Sequence, residues 1–145
     1  MIRFTAPKLT IILKSIVIFF TPIKWLVFLV ALSTIVDTAF GIWKAKKLNE
    51  SVNSKKFRHG FVPKLISYIC LVLITYTSDF HLLNELTKEI LSIDYLSTKL
   101  LSLALIINEV VSMDESFEKV KGYSFIKKIF KTLLRFKDIK KKLAE

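Results

Sequence analysis

Cysteine occurs once in 145 residues, at Cys70 inside an apolar run. One cysteine closes no intrachain disulfide and builds no thiolate metal site. In that setting it reads as a small packing or lipid-facing residue. Glycine and proline occur three times each, which leaves little material for hairpins and tight turns and points to helices almost throughout. The chain has no Ser-His-Asp set, no HExxH motif and no Gly-rich phosphate loop. Nothing in it therefore reads as an enzyme's site, and no cofactor or metal is expected. Acidic side chains are scarce as well, 12 against 23 Lys and Arg, for a formal net charge of +11.

What the chain has in quantity is apolar sequence. It is 52% hydrophobic, with a mean hydropathy of +0.48. High hydropathy beside high charge means that the two are segregated into blocks. The run from Trp25 to Trp43, WLVFLVALSTIVDTAFGIW, holds Asp37 as its only formal charge. A helix of that length reaches about 28 Å, close to the hydrocarbon thickness of a bilayer, and indoles at both ends suit the headgroup level. A second run, Val62 to Thr77, has Lys64 placed to snorkel and Tyr68 and Tyr76 placed to anchor at the interface. A third, Tyr95 to Met113, has Lys99 near its start and Asn108 and Glu109 near its end. The expected fold is all-α: a helical integral membrane protein with three spans, about 25–43, 62–77 and 95–113.

The connecting segments set the expected topology. Residues 44–64 carry seven Lys and Arg against one acid, residues 78–95 one against four, and residues 114–145 ten against five. Basic loops stay on the cytoplasmic side. The first loop and the C-terminal tail are therefore expected inside and the middle loop outside. That places His59 and His81 on opposite sides of the membrane, apart from any shared site.

The N-terminal region, 1–24, is ambiguous at this level. Leu9 to Phe20 is apolar but holds Lys14 and is followed by Thr21-Pro22. Twelve helical residues reach only about 18 Å, too short to cross. The segment reads either as a helix lying flat in the interface, or as one arm of a bent hairpin with Trp25–Trp43, which would add a fourth crossing.

The tail, 114–145, ends in a basic amphipathic pattern. Phe125, Ile126, Ile129, Phe130, Leu133, Leu134 and Phe136 recur at helical spacing, with Lys127, Lys128, Lys131, Arg135, Lys140, Lys141 and Lys142 among them. Such a helix is expected to bind the anionic inner leaflet of the lipid bilayer. A helix packed on the protein's own body is the plainer alternative. Specific nucleic-acid binding is not expected.

Charged and polar residues inside the spans are the candidate functional positions. Lys99 and Glu109, near span ends, can snorkel. Asp37 lies six residues from Trp43, about 9 Å along the axis. That is too deep for its short side chain to reach water, so it must face protein or a water-filled space. Lys44, Lys47, Lys55, Lys56 and Lys64 are the cations available to it and to Glu109. The acids either lock the basic loop to the helices or line a polar seam that becomes a pore wall on association. Asn108 can hydrogen-bond between helices.

These residues also form an ordered series. Asp37, Gly41 and Lys44 close the first span, Leu48, Ser54 and Gly60 follow in the basic loop, and Lys64 opens the second span. Much later come Asn108, Glu109, Ser112, Glu115 and Gly122. Over roughly residues 30–122 this order resembles the phage lysis and toxin-secretion holins sometimes called holin family 4. The chain departs from that pattern by an insertion at Asn49 to Asn53, by Met113 in place of Ile, and by Glu115-Ser116 where the family closes on Glu-Asn. The resemblance implies a phage-encoded multi-pass protein of the bacterial inner membrane, C-terminus cytoplasmic. Such a protein forms a homo-oligomer and opens a lesion through which an endolysin or a toxin passes. Two alternatives stand beside it: a non-lytic antiholin or scaffold, and a helical phage structural protein that is packaged rather than membrane-bound.

Overall fold

A computed structural model describes residues 6–51 and 54–142, with side chains at 9–51, 59–83 and 85–135. The described residues form six α-helices and no strand. These are α1 (Ala6–Phe20), α2 (Lys24–Lys47), α3 (Ser54–Ser78), α4 (Asn84–Leu91), α5 (Leu96–Lys121) and α6 (Phe125–Lys142). A single 3-10 turn, Thr21–Ile23, joins α1 to α2, and a π-helical turn, Asp79–Leu83, joins α3 to α4. The fold is an all-α membrane type: three helical stretches, Leu9–Lys47, His59–Leu83 and Leu96–Lys121, are long and apolar enough to cross a membrane.

All three spanning helices outrun the apolar runs that announce them. The third was expected to end near Met113, yet α5 continues through Lys121. The residues from Asp114 to Lys121 are mostly polar, and half of them, Glu115, Glu118, Lys119 and Lys121, are good helix formers. The helix stops at Gly122, whose φ of 76° is left-handed and whose N–H reaches the Glu118 carbonyl at 2.8 Å. Likewise α3 begins eight residues before Val62 and carries Pro63 inside it, at the loss of one backbone donor. α2 closes on Asn49, also left-handed at φ 55°, while the Glu50 N–H returns to the Ala45 carbonyl at 2.8 Å, the long bond of a Schellman turn.

The chain divides into two compact units. The first comprises residues 1–31 and 66–105. Its buried apolar side chains are Ile23, Val30, Val72 and Tyr76, and Asp79, Thr98 and Ser102 are buried beside them. Asp79 accepts hydrogen bonds from the Thr98 N–H and hydroxyl, both at 2.6 Å, so a carboxylate from the π turn caps the first turn of α5. Leu9 to Ile18 of α1 are exposed. The end of α1 is not: Phe19 meets the rings of Tyr76 and Phe80 edge-on at 5.3 and 5.1 Å, and the Tyr76 hydroxyl donates to the Phe19 carbonyl at 2.8 Å.

Tyr76 was expected to stand at the lipid interface as an anchor. It is instead inside the first unit, 1% exposed, because its hydroxyl finds a backbone acceptor there. Replacing it with Phe removes that bond and keeps the ring. The expected cost is about 0.5–1.5 kcal/mol, read as a lower unfolding midpoint in detergent. An unchanged midpoint would show that the bond holds nothing.

The second unit comprises residues 32–65 and 106–145. Its most buried side chains are Thr34, Glu109, Met113, Asp114, Ser116 and Ser124, a set dominated by polar groups. In both units the large apolar side chains lie largely outward: Leu29, Leu71, Ile74, Leu100 and Leu103 in the first, Leu32, Ile35, Ile107 and Val111 in the second. So much exposed apolar surface is untenable in water and is what a lipid surround rewards.

Candidate functional site

The second unit contains the site. Its centre is Lys64 on α3. The Lys64 Nζ lies 3.0 Å from Asp37 Oδ2 on α2 and 2.6 Å from Glu109 Oε2 on α5. One ammonium thus ties three helices through two carboxylates. The Glu109 side chain is fully buried and that of Asp37 is 13% exposed, while the Lys64 side chain keeps 30% exposure. Asn108 is itself exposed, and its Nδ2 donates to Glu109 Oε1 at 3.2 Å, so both carboxylate oxygens of Glu109 are engaged.

Helix geometry explains why these residues can meet. Asp37, Thr38, Gly41, Lys44 and Ala45 repeat at three- and four-residue intervals and so share one face of α2. Gly60 and Lys64 do the same on α3, as do Glu109, Ser112 and Ser116 on α5. An open cleft of about 450 Å³ lies along these faces, and Asp37, Gly41, Lys44, Gly60, Lys64 and Ser112 are among its walls. A Cβ added at Gly41 or at Gly60 would meet nothing within 4 Å, so both glycines leave space rather than fill a tight contact. The triad carries two negative charges against one positive. Burial makes each charge expensive alone, so the three groups hold one another in place.

Glu109 stands four residues before Met113, near the end of the apolar run of α5, yet its side chain is fully buried, and an ion pair with Lys64 rather than snorkelling satisfies it. Of the cations weighed as partners, Lys64 meets both acids, while the side chains of Lys55 and Lys56 lie outside the described residues.

Other expected positions lie elsewhere in the unit. Leu48 is exposed beyond the end of α2, with its N–H bonded to the Lys44 carbonyl at 3.0 Å. Glu115 is exposed on α5. The side chains of Ser54, Lys140, Lys141 and Lys142 lie outside the described residues. Lys127, Lys128, Lys131 and Arg135 are exposed on α6. Lys127 lies 3.4 Å from Glu118 and Lys128 sits over the Tyr123 ring at 5.1 Å. No group of three or more His, Cys, Asp or Glu among the described residues is placed to hold a metal ion.

A second polar centre was not singled out in the sequence. Asp114 Oδ1 accepts the N–H groups of Phe125 at 2.7 Å and Ile126 at 3.2 Å, and its Oδ2 accepts the Ser124 hydroxyl at 2.5 Å. The Ser124 oxygen in turn accepts the Lys127 N–H at 3.0 Å. The N-terminus of α6 is thus capped by its own serine and by a carboxylate from α5, which suits the positive end of the helix dipole. Trp43 and Phe117 stack at 6.0 Å, and Phe117 meets Tyr123 and Phe125 edge-on at 5.5 and 5.6 Å. The available signal was Gly122 followed two residues later by serine, a helix stop and a helix start side by side.

Comparison with known proteins adds to this picture. No curated protein and no solved structure matches the chain. The model of the bacteriophage holin family matches residues 14–138, a stretch that takes in the ion triad and most of the tail. Holins are not a family of enzymes, and the apolar helices accord with a membrane-embedded protein. This chain belongs to the bacteriophage holin family.

Proposed function

We propose that this holin is lytic: it oligomerises in the inner membrane of the bacterial host and opens a lesion that lets an endolysin or a toxin pass. The observation that carries the reading is the Asp37–Lys64–Glu109 triad beside an open cleft, set in helices apolar enough to span a bilayer. Ionisable groups at such depth are costly unless they face protein or water. A lone subunit covers them only in part, since Lys64 remains partly exposed. A neighbouring subunit or a water-filled passage would complete their surroundings, and association would exchange lipid for polar contact.

The topology follows from the basic first loop and basic tail, which favour the cytoplasmic side. The Asp37 end of α2 and the C-terminus then face the cytoplasm. An endolysin would be a functional partner that uses the lesion without docking on this chain.

The test is release of encapsulated dextrans of graded size from vesicles holding the purified full chain. The reading expects release that rises steeply with protein density and includes protein-sized dextrans. Stable insertion with all dextrans retained would instead favour a non-lytic antiholin or scaffold. Asp37→Asn and Glu109→Gln are each expected to shift the onset of lysis in cells while leaving the amount of inserted protein unchanged. Identical onset for both variants would remove the triad from the mechanism.

A further inference from the structure

We infer that α6 is a preformed docking arm for anionic lipid headgroups, held ready by the Asp114–Ser124 clamp. Ile126, Ile129, Phe130 and Leu133 fall at i, i+3, i+4 and i+7 and Leu134 adjoins them, which makes one apolar stripe. Lys128, Lys131 and Arg135 run along the opposite side at i, i+3 and i+7. From Lys127 to Arg135 every side chain is exposed, and Ile129, Phe130, Leu133 and Leu134 are each more than half exposed. Over its length α6 carries eight Lys and Arg against one acid, Asp138.

Three observations select a charged bilayer as the occupant. The first is chemical: an apolar stripe backed by cations matches the boundary between acyl chains and anionic headgroups. A nucleic acid would use the cations and leave the stripe in water. The second is charge: a second copy of α6 would bring a further eight cations against these, so self-association of this face is opposed. The third is tethering. Only Gly122, Tyr123 and Ser124 separate α6 from α5, and α5 is a candidate span ending at Lys121. The apolar part of α5 ends near Met113, about 12 Å before Lys121, and the start of α6 stays within about 14 Å of the end of α5, so the arm is tethered within reach of the headgroup layer.

The clamp gives the arm its readiness. An isolated amphipathic helix of this length is marginal in water. Here Asp114 and Ser124 satisfy the first amide groups, and the half-buried Phe125 and Ile126 root the helix on its own unit. Docking then spends little on ordering the helix, and lipid composition sets how often the arm lies down. The inference rests on the membrane placement of α5 and not on lesion formation.

The test uses the full chain with Cys70→Ser and Leu134→Cys, labelled at position 134 with an environment-sensitive fluorophore. The protein is reconstituted in phosphatidylcholine vesicles with or without phosphatidylglycerol, and insertion is checked separately by flotation. The expected result is a blue-shifted probe, quenched by brominated acyl chains, with phosphatidylglycerol present, and a return towards the water-exposed signal as salt is raised. Replacing Lys127, Lys128, Lys131 and Arg135 with Gln should lower the docked-to-free ratio by roughly fivefold for each charge removed, about 1 kcal/mol apiece.

Equal shielding of the probe in neutral vesicles, insensitive to salt, would overturn the inference. So would shielding that grows with protein density rather than anionic lipid, which would mean a second copy. A probe exposed in both vesicle types, and shielded only when an acidic protein or nucleic acid is added, would overturn it too. Should the Gln variant insert poorly, the salt titration of the unsubstituted arm still decides. Dextran release from the same vesicles is scored independently, so docking without release would sink the lytic reading and leave this one standing.

Discussion

Lys64→Leu is expected to be the most damaging single substitution in the spanning helices. It keeps an apolar stem of similar bulk and removes the ammonium that meets both Asp37 and Glu109. Two carboxylates would then be left on neighbouring helices, Glu109 with no access to water. Removing one partner of a buried pair costs about 3–5 kcal/mol, comparable with the about 2.5–3.5 kcal/mol charged for an acid at the centre of a spanning helix. The chain should accumulate poorly, and purified protein should lose its unfolding transition in detergent. The control is a triple variant, Asp37→Asn, Lys64→Gln and Glu109→Gln, which removes all three charges together. It should regain most of the accumulation, because neutral amides can bond to one another. A Lys64→Leu protein that accumulates and unfolds like the unsubstituted chain would show that the ion pairs do not hold the three helices.

The second large effect is expected at Asp114. Asp114→Ala strips the α6 N-terminus of an acceptor that takes two backbone amides and a hydroxyl. Hydrogen bonds to a charged group contribute about 1.5–3 kcal/mol each when lost singly, and those sharing one carboxylate do not add in full. Since the side chains of α6 from Lys127 to Arg135 are all exposed, a loss of even about 2 kcal/mol should let this stretch fray. Hydrogen exchange should show protection lost across Phe125–Arg135 and kept in the apolar part of α5. Protection kept in both would mean that Ser124 alone suffices as a cap.

The contrast between these two sites shows what was readable in advance. Asp37, Lys64 and Glu109 stand out in the sequence because each interrupts or borders an apolar run, and their cost in lipid makes them visible. Their pairing is not visible. Asp37 and Lys64 are 27 residues apart, and which cation an acid meets depends on how each helix is rotated about its axis. Asp114 lies outside the apolar runs, where a carboxylate is cheap, so nothing in its surroundings marks it. Its role appears only when α6 is seen to begin beside it.

Helix extents divide in the same way. Apolar length locates the part of a helix that lies in lipid. It says nothing of how far helix-forming polar residues carry the helix beyond, as α5 does to Lys121 and α3 does from Ser54. The Tyr76 hydroxyl illustrates a third gap. A tyrosine near a span end suits the headgroup level, yet a backbone carbonyl within reach on α1 draws it inside.

The most direct measurement of the central claim is made in cells. The chain is expressed in a bacterium with and without a cytoplasmic endolysin, and membrane potential and culture density are followed together. The account predicts an abrupt, delayed depolarisation in both cultures and a fall in density only where the endolysin is present. Inserted protein at high level with an intact potential, or lysis that ignores the endolysin, would contradict it.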